Sequence, residues 1–320
     1  MKRARLIMNP VSGGEKPNPM KLPEIVAALE AANIRADLTF TAPDQSPTQI
    51  ARQAVEEGYE MIVVSGGDGT VSEVAKGLIY ASVPLGIIPI GTYNNIARSL
   101  DLPTDLKAAC QVLAQGHVKS IDVGQANNEH YFFEVAGVGL DAALFPFGEA
   151  IKGGQWERFL QAAQLAMTYK PQQIRIMLDR PILQAKVQSE SRLPFLRRSM
   201  LTKTRSRREL RFSVLLVVIA NSPYYGAGFT VAPDACMDDG LLTVSVFRGF
   251  SKWQLLRHFW AISKGKYHYS PKIETYHVAE LQVTAPHTHM PVHVDGHRIG
   301  ELPVTFKVLQ RALNVLVPVG

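Results

Sequence analysis

The sequence predicts two domains of different class: an α/β domain with a parallel sheet and flanking helices, followed by a β-rich antiparallel sandwich. Three observations predict it. Over residues 1–118, strand-like and helix-like runs alternate, the rhythm of a mostly parallel sheet covered on both faces. After residue 120, short strand-like runs succeed one another, separated by Gly, Pro and Asn/Asp clusters. At 320 residues the chain is long for one core and comfortable for two.

The elements follow in order. Residues 5–9 form a short apolar strand. Residues 20–32 carry helical periodicity, with Leu22, Ile25, Val26 and Leu29 on one face. Residues 35–40 alternate apolar and polar and read as a strand, and 48–57 as a helix that Gly58 ends. Continuous apolar runs at 61–65 and 85–89 are buried strands, with helices at 71–80 and 105–115. Beyond a junction near 116–120, strands are expected at 121–126, 131–136, 173–178, 212–220, 241–247, 279–284, 292–294 and 304–309. Helical stretches at 156–169 and 253–265 interrupt them. Their Trp156, Phe159, Trp253, Phe259 and Trp260 are expected mainly in the core or in helix packing, with a lipid-facing role as the alternative. The domains are placed at 1–118 and 119–305. Residues 306–320 are a candidate to complete the first, and 190–211 are a basic insertion in the second.

Composition excludes several classes. With 46% hydrophobic and 19% charged residues, the chain is not disordered by composition. No apolar run reaches the roughly 18–20 residues of a spanning helix. The apolar segment between Arg5 and Asn9 is too short for a signal-peptide core. Two cysteines, Cys110 and Cys236, make neither a disulfide framework nor a four-cysteine zinc site, and read as reduced cytosolic thiols. Net charge is 34 − 28 = +6, but residues 192–211 alone hold eight basic residues against Glu209. The basic character is therefore local. Within that segment Arg197, Arg198, Lys203, Arg205, Arg207 and Arg208 are interleaved with Leu196, Met200 and Leu201. That mixture fits an anionic membrane surface, at about 1 kcal/mol per basic residue. A solvated loop is the plainer alternative. No DNA- or RNA-binding motif accompanies the run, so a nucleic-acid partner is not expected. The expected location is cytoplasmic, peripherally associated with a membrane.

Three loops carry chemistry. Ser65-Gly66-Gly67-Asp68-Gly69-Thr70 follows an apolar strand and precedes a helix. Its glycines let backbone N–H groups approach an anion, and the helix N-terminus favours phosphate. Asp68 repels phosphate and must organise the loop or hold a bridging cation. Ile90-Gly91-Thr92-Tyr93-Asn94-Asn95 and Asn9-Pro10-Val11-Ser12-Gly13-Gly14 also follow apolar strands. A tight turn is the plain reading of any one of them. In a parallel sheet, however, strand C-termini line one edge, where ligands bind. The set is neither a Walker A loop nor a dinucleotide fingerprint.

In order, Asn9-Pro10-x-Ser12-Gly13, Gly66-Gly67-Asp68-Gly69-Thr70 and Gly91-Thr92-x-Asn94-x-x-Ala97-Arg98 resemble the diacylglycerol-kinase-type lipid kinases, bacterial soluble lipid kinases and sphingosine kinases included. Ala136-Gly137-x-Gly139-x-Asp141, Asn221-x4-Gly226-x-Gly228, Ala232-Pro233-x-Ala235-x-x-Asp238-Asp239-Gly240 and Val294-Asp295-Gly296 continue the resemblance over essentially the whole chain. The GGDGT element alone is shared with NAD kinases and phosphofructokinases.

The resemblance implies a nucleotide-binding first domain, a lipid-substrate second domain and a cleft between them. It implies ATP, Mg²⁺ and transfer of the γ-phosphoryl group to a lipid hydroxyl, that of diacylglycerol first and of a sphingoid base or other lipid alcohol second. Gly66, Gly67, Asp68, Gly69, Thr70, Ser72, Thr92 and Asn94 would then contact nucleotide, with Asn9, Ser12, Gly13 and Gly91 in the same loops and Thr41 after the second strand. Asp68 would join a carboxylate, water and Mg²⁺ network with Asp122. A second, structural Mg²⁺ would take the Asp239 carboxylate and the carbonyls of Cys236 and Leu241; by itself this segment reads as a hairpin turn. The partners implied are a lipid substrate and an anionic membrane surface, and a homodimer is left open.

Three departures stand out. The family writes Asp-Gly-Glu near the C-terminus, with the Glu as general base, where this chain has Asp295-Gly296-His297. Histidine can accept that proton near pH 7, so His297 is the candidate catalytic base beside Asp68; the alternative is that Glu301, four residues on, supplies the carboxylate. Loss of the Glu also suits a rival class, a catalytically weak nucleotide- or lipid-binding regulator. Asn95 stands where bacterial members have Asp, and Glu134 where Asn is common. Finally, His287, His289, His293 and His297 could share a strand face and hold a metal, without cysteine partners.

Overall fold

The computed structural model describes residues 1–9, 21–42, 45–144, 158–179, 182–184, 201–203, 208–263, 272–286 and 289–319. They form two compact units. The first holds Met1–Val123, Gly226–Gly228 and Leu309–Gly320; the second holds Gly124–Tyr225 and Phe229–Val308.

The first unit is the α/β half. Its strands β1 (Lys2–Met8), β2 (Ile34–Phe40), β3 (Met61–Gly66) and β4 (Leu85–Pro89) run parallel in the order β2–β1–β3–β4. Register aligns Met8 with Ser65 and Gly66 with Pro89. The loops that follow β1, β3 and β4 therefore leave from one edge. Helices α1 (Lys21–Ala31), α2 (Pro47–Glu56), α3 (Asp68–Gly77), the short α4 (Asn95–Ser99) and α5 (Leu106–Gln115) complete the alternation. Asp105 starts α5 by accepting the Ala108 N–H at 2.9 Å. Pro47 sits at the first turn of α2, where its missing N–H costs nothing. The core joins Leu6, Ile25, Leu29, Val63 and Leu113. β5 (His117–Ala126) follows.

The second unit is antiparallel throughout. It contains β6 (His130–Phe132), β7 (Val135–Gly139), α6 (Arg158–Thr168), β8 (Gln172–Asp179), β9 (Ile182–Gln184), β10 (Leu201–Lys203), β11 (Arg208–Ala220), β12 (Tyr224–Tyr225), β13 (Phe229–Thr230), β14 (Leu242–Arg248), α7 (Lys252–Ser263), β15 (Ile273–Val278), β16 (Glu280–Thr284), β17 (Pro291–Val294) and β18 (His297–Glu301). The spine is β11. Its first half pairs with β8, its second half with β7, and β14 lies along its other edge. Val217, Ile219, Val244, Val292 and Phe306 fill the core between these strands. Phe132 meets Phe306 edge to face, with centroids 6.4 Å apart. The last strand, β19 (Val304–Val317), serves both units: residues 304–307 pair with β16, and Val315 lies parallel beside Leu85 of β4.

The fold class is the one the sequence predicts, and details differ, the short β9, β10, β12 and β13 being unpredicted. The strand expected at 131–136 is two strands, broken at Phe133-Glu134. β15 and β18 were not anticipated from composition. β19 continues to Val317 instead of stopping at 309, although Arg311 adopts φ 50° within it. Trp253 is not in helix packing: 72% of it is exposed. The side chains of Phe159, Phe259 and Trp260, and the whole of Trp156, lie outside the described residues.

Candidate active site

The loop cluster of the first unit is held by side chains that bond backbone. Asp68 Oδ1 accepts the N–H of Ile96 at 3.1 Å, tying the start of α3 to the start of α4. Asn94 adopts φ 51° and closes on Gly91 twice: Oδ1 accepts the Gly91 N–H and Nδ2 donates to the Gly91 carbonyl, both at 2.9 Å. Asn9 Nδ2 donates to Thr70 Oγ1 at 3.2 Å, joining the first loop to the second. Gly67 and Gly91 are in backbone contact. A Cβ on Gly91 would stand 2.4 Å from the Gly67 Cα, so no side chain fits between these loops. Sequence reasoning found every one of these residues except Ile96, which contributes only its amide.

The cluster suits an oxyanion. Gly67 is the N-cap of α3 and has no side chain to cap it. A Cβ built on the exposed Gly69 meets no atom within 4 Å. At the end of β3, buried Ser65 Oγ has no protein hydrogen-bond partner among the described residues. Thr92 is exposed on the β4 loop, while Ser72 is 7% exposed on α3. The Thr41 N–H continues the β1–β2 edge by donating to the Met8 carbonyl at 2.9 Å. Ser12 and Gly13 lie outside the described residues.

The same network explains Asn95. Its Nδ2 donates to the Gly226 carbonyl at 3.0 Å, and Arg98 Nη1 donates to the Gly228 carbonyl at 3.3 Å. A carbonyl needs a donor, which an ionised Asp is not and an amide is. Both glycines have positive φ, at 58° and 76°. The Asn221-x4-Gly226-x-Gly228 motif thereby brings a loop of three residues to α4.

The candidate metal ligands each have a hydrogen bond within their own unit. Asp122 is 1% exposed in the first unit, and its Oδ1 accepts the Arg311 N–H at 2.8 Å. Asp239, in the second unit, accepts the Leu241 N–H at 3.0 Å in a tight turn. Cys236 Sγ donates to Asp238 Oδ1 at 2.7 Å. Among the described residues no three His, Cys, Asp or Glu side chains converge as a metal centre. Mg²⁺ is usually held by one or two carboxylates together with phosphate oxygens and water.

In the second unit the Asp295-Gly296 turn is the organising feature. Asp295 accepts three backbone N–H groups, from Phe133 at 2.7 Å, Glu134 at 3.0 Å and Val135 at 2.9 Å. Asn221 and Ser222 satisfy the other side of that bend: the Asn221 Nδ2 donates to the Phe133 carbonyl, and the N–H groups of both donate to that of Glu134. This long-range bonding breaks the strand expected at 131–136. The Glu134 side chain is buried, 5% exposed, and nothing in the structure explains its replacement of Asn.

The histidines separate. His297 is exposed at the start of β18, opposite Val294. His289 is exposed and pairs with Glu301 at 2.9 Å, while Glu301 also takes Arg298 at 3.1 Å. His293 is 1% exposed and bonds Asp141 Oδ2 at 2.9 Å. The three described histidines therefore do not share a metal site, and His287 lies outside the described residues.

Of the expected membrane contacts, Arg197, Arg198, Arg205 and Arg207 lie outside the described residues. Lys203 ends β10, and Arg208 is exposed at the start of β11. Among the described residues no helix is long and apolar enough to cross a membrane.

A glycine-rich loop edge that suits an oxyanion, on a parallel α/β unit followed by an antiparallel one, defines the class of the fold. Comparison with known proteins specifies it. Residues 3–126 match the Diacylglycerol kinase catalytic domain, and residues 138–317 match the YegS C-terminal NAD kinase beta sandwich-like domain. The chain belongs to the diacylglycerol kinase catalytic-domain family, with the YegS-type second domain. It is 29% identical over 322 residues to a diacylglycerol kinase of Staphylococcus carnosus (strain TM300), covering 99% of this chain and 95% of the relative. It is also 29% identical over 324 residues to one of Staphylococcus aureus (strain MRSA252), covering 99% and 93%. A solved diacylglycerol kinase of Bacillus anthracis strain Sterne shares the fold, with a TM-score of 0.70 at 21% identity over 99% and 97% of the two chains. Family membership supports a kinase.

Proposed function

We propose that this kinase is ATP- and Mg²⁺-dependent and phosphorylates the hydroxyl of a membrane lipid, diacylglycerol to phosphatidic acid in the first instance. The observation that carries the reading is the knitted loop edge: Asp68, Gly91 and Asn94 fix two glycine loops in backbone contact and leave the start of α3 without a side-chain cap. Full-length relatives named diacylglycerol kinase support the lipid acceptor.

In this reading the N–H groups at the start of α3 hold phosphate oxygens, and Asn9 and Thr70 line the neighbouring loop. Mg²⁺ would be held by Asp68 and Asp122; when bound, it neutralises charge on the transferring phosphoryl group. Asp68 keeps one oxygen off the Ile96 amide for this. His297, exposed at the head of β18, takes the proton of the acceptor hydroxyl. The structural Mg²⁺ assigned to Asp239 and the carbonyls of Cys236 and Leu241 belongs to the same proposal. So do a basic membrane-facing segment at 190–211 and a cytoplasmic, peripheral location.

The test is phosphoryl transfer from labelled ATP, with and without Mg²⁺, to diacylglycerol, monoacylglycerol, sphingosine, ceramide and phosphatidylglycerol in mixed micelles, with NAD as a soluble control. A Mg²⁺-dependent lipid product supports the reading. Transfer to none of them alongside measurable ATP binding favours a nucleotide-binding regulator. His297→Ala is expected to slow transfer by about 10²–10⁴. His297→Glu is expected to restore much of it at a lower pH optimum.

A further inference from the structure

The Gly137-x-Gly139-x-Asp141 motif lies in the second unit and has a defined geometry. Asp141 lies in the helical residues directly after β7, and His293 lies on β17, which pairs with β7. The His293 ring is 1% exposed and stacks on Tyr225 with an interplanar angle of 19° and centroids 5.5 Å apart. Tyr225 Oη also comes within 3.4 Å of His293 Nε2.

Both ring nitrogens have defined partners. The Gly296 N–H donates to Nδ1 at 3.3 Å, so Nδ1 carries no proton. The proton of the neutral ring is on Nε2, which donates to Asp141 Oδ2 at 2.9 Å. The Nε2–Oδ2 hydrogen bond fixes one oxygen of the Asp141 carboxylate. The Asp141 side chain retains 23% exposure. One oxygen is therefore anchored inward on a carboxylate that still reaches the surface. Gly137 is required for this: a Cβ there would stand 2.2 Å from His293 Nε2 and 2.6 Å from Asp141 Oδ2.

We propose that His293 is a positioning residue that holds the Asp141 carboxylate as an outward-facing acceptor for the polar head of the lipid substrate, selecting neutral or cationic lipid alcohols against anionic ones. The proposal rests on the lipid-kinase reading and deepens it. A diol head would donate hydroxyl hydrogens to Asp141, and an amino-alcohol head would add an ion pair. An anionic phospholipid would meet the like charge of the Asp141 carboxylate. The residue's surroundings fit holding and not proton transfer, since neither nitrogen is open.

The experiment measures binding, so it does not need turnover. Soluble short-chain dioctanoylglycerol, sphingosine and dihexanoyl phosphatidylglycerol are titrated calorimetrically into wild type, Asp141→Asn, His293→Leu and His293→Gln. Nucleotide affinity is measured in parallel. Asp141→Asn keeps an acceptor for His293 and removes the charge. It is expected to weaken sphingosine binding about ten- to hundredfold and dioctanoylglycerol binding less, and to narrow the discrimination against phosphatidylglycerol. His293→Leu should weaken both neutral and cationic ligands about three- to tenfold, and His293→Gln, whose amide can reproduce the Nε2 donor, should recover most of that. Nucleotide affinity should not change in any variant. Unchanged lipid selectivity in Asp141→Asn, no rescue by Gln, or no binding of any of these lipids by wild type would overturn the proposal. Binding that follows the expected pattern without phosphoryl transfer would instead overturn the kinase reading and leave the lipid site standing.

Discussion

Two motif aspartates sit in the two units, each followed directly by glycine, and they are used differently. Asp68, at the head of α3, gives one oxygen to one amide, that of Ile96. Asp295, in the turn between β17 and β18, gives both oxygens to three amides, and its own N–H donates to Val135. A carboxylate offers about four lone-pair sites. Asp68 therefore has capacity left for a cation, and Asp295 has little. The comparison shows that an Asp-Gly pair in a motif marks two kinds of device. One fixes a loop while keeping charge available; the other is a structural clasp, leaving chemistry to its neighbours.

The largest effect expected from this contrast is on stability. Asp295→Ala leaves three amides at the Phe133-Glu134 bend unpaired and should cost about 3–5 kcal/mol in urea unfolding. A loss below 1 kcal/mol would refute the clasp. Asp68→Asn gives the opposite signature. The amide oxygen still accepts the Ile96 N–H, so unfolding should move by less than about 1 kcal/mol while transfer falls about 100-fold. If stability and activity fall together, Asp68 is a clasp as well. Gly91→Ala tests the loop contact: a Cβ pressed against the Gly67 backbone should cost about 1–3 kcal/mol and lower nucleotide affinity, with lipid binding unchanged.

The smallest effect separates two buried histidines. His293 has partners on both nitrogens. His277, 4% exposed on β15, contacts Thr243 Oγ1 at 3.1 Å through Nδ1, while its Nε2 has no hydrogen-bond partner among the described residues. Burial holds the His277 pKa below its ordinary value of 6.5, with nearby Asp234 opposing. The unfolded chain then binds the proton more readily, and stability declines as pH falls below 6.5 toward the folded-state value. Urea midpoints between about pH 7.5 and pH 5 should show this decline, and His277→Gln should flatten it. An equal slope in the variant would assign the decline to other groups.

Legibility in the sequence followed the range of the interactions. β4 matches the apolar run at 85–89, and β3 and β8 match theirs within a residue or two, because each is written in a local pattern. The loop residues were legible for the same reason, since glycine and asparagine mark the positions their backbones need. The break at Phe133-Glu134 was not, because its cause is Asp295, far along the chain. β18 escaped because HRIGE is polar and exposed; it exists as the return arm of a turn whose Asp295 and Gly296 have φ 43° and 83°. His293 looked like one of four interchangeable histidines. Only its pairing beside Gly137 distinguishes it.

The division of β19 between the units sets an order of events in the making of the molecule. The amide-rich loops of the first unit are translated early, yet the sheet that supports them gains Val315 beside Leu85 only when residues 309–317 have been synthesised. Gly226 and Gly228, which meet Asn95 and Arg98, also come late. A nascent chain that has passed residue 123 therefore carries an unfinished sheet edge until the second unit has left the ribosome. If the loops bind phosphate as proposed, the sheet that carries them is completed only at the end of synthesis.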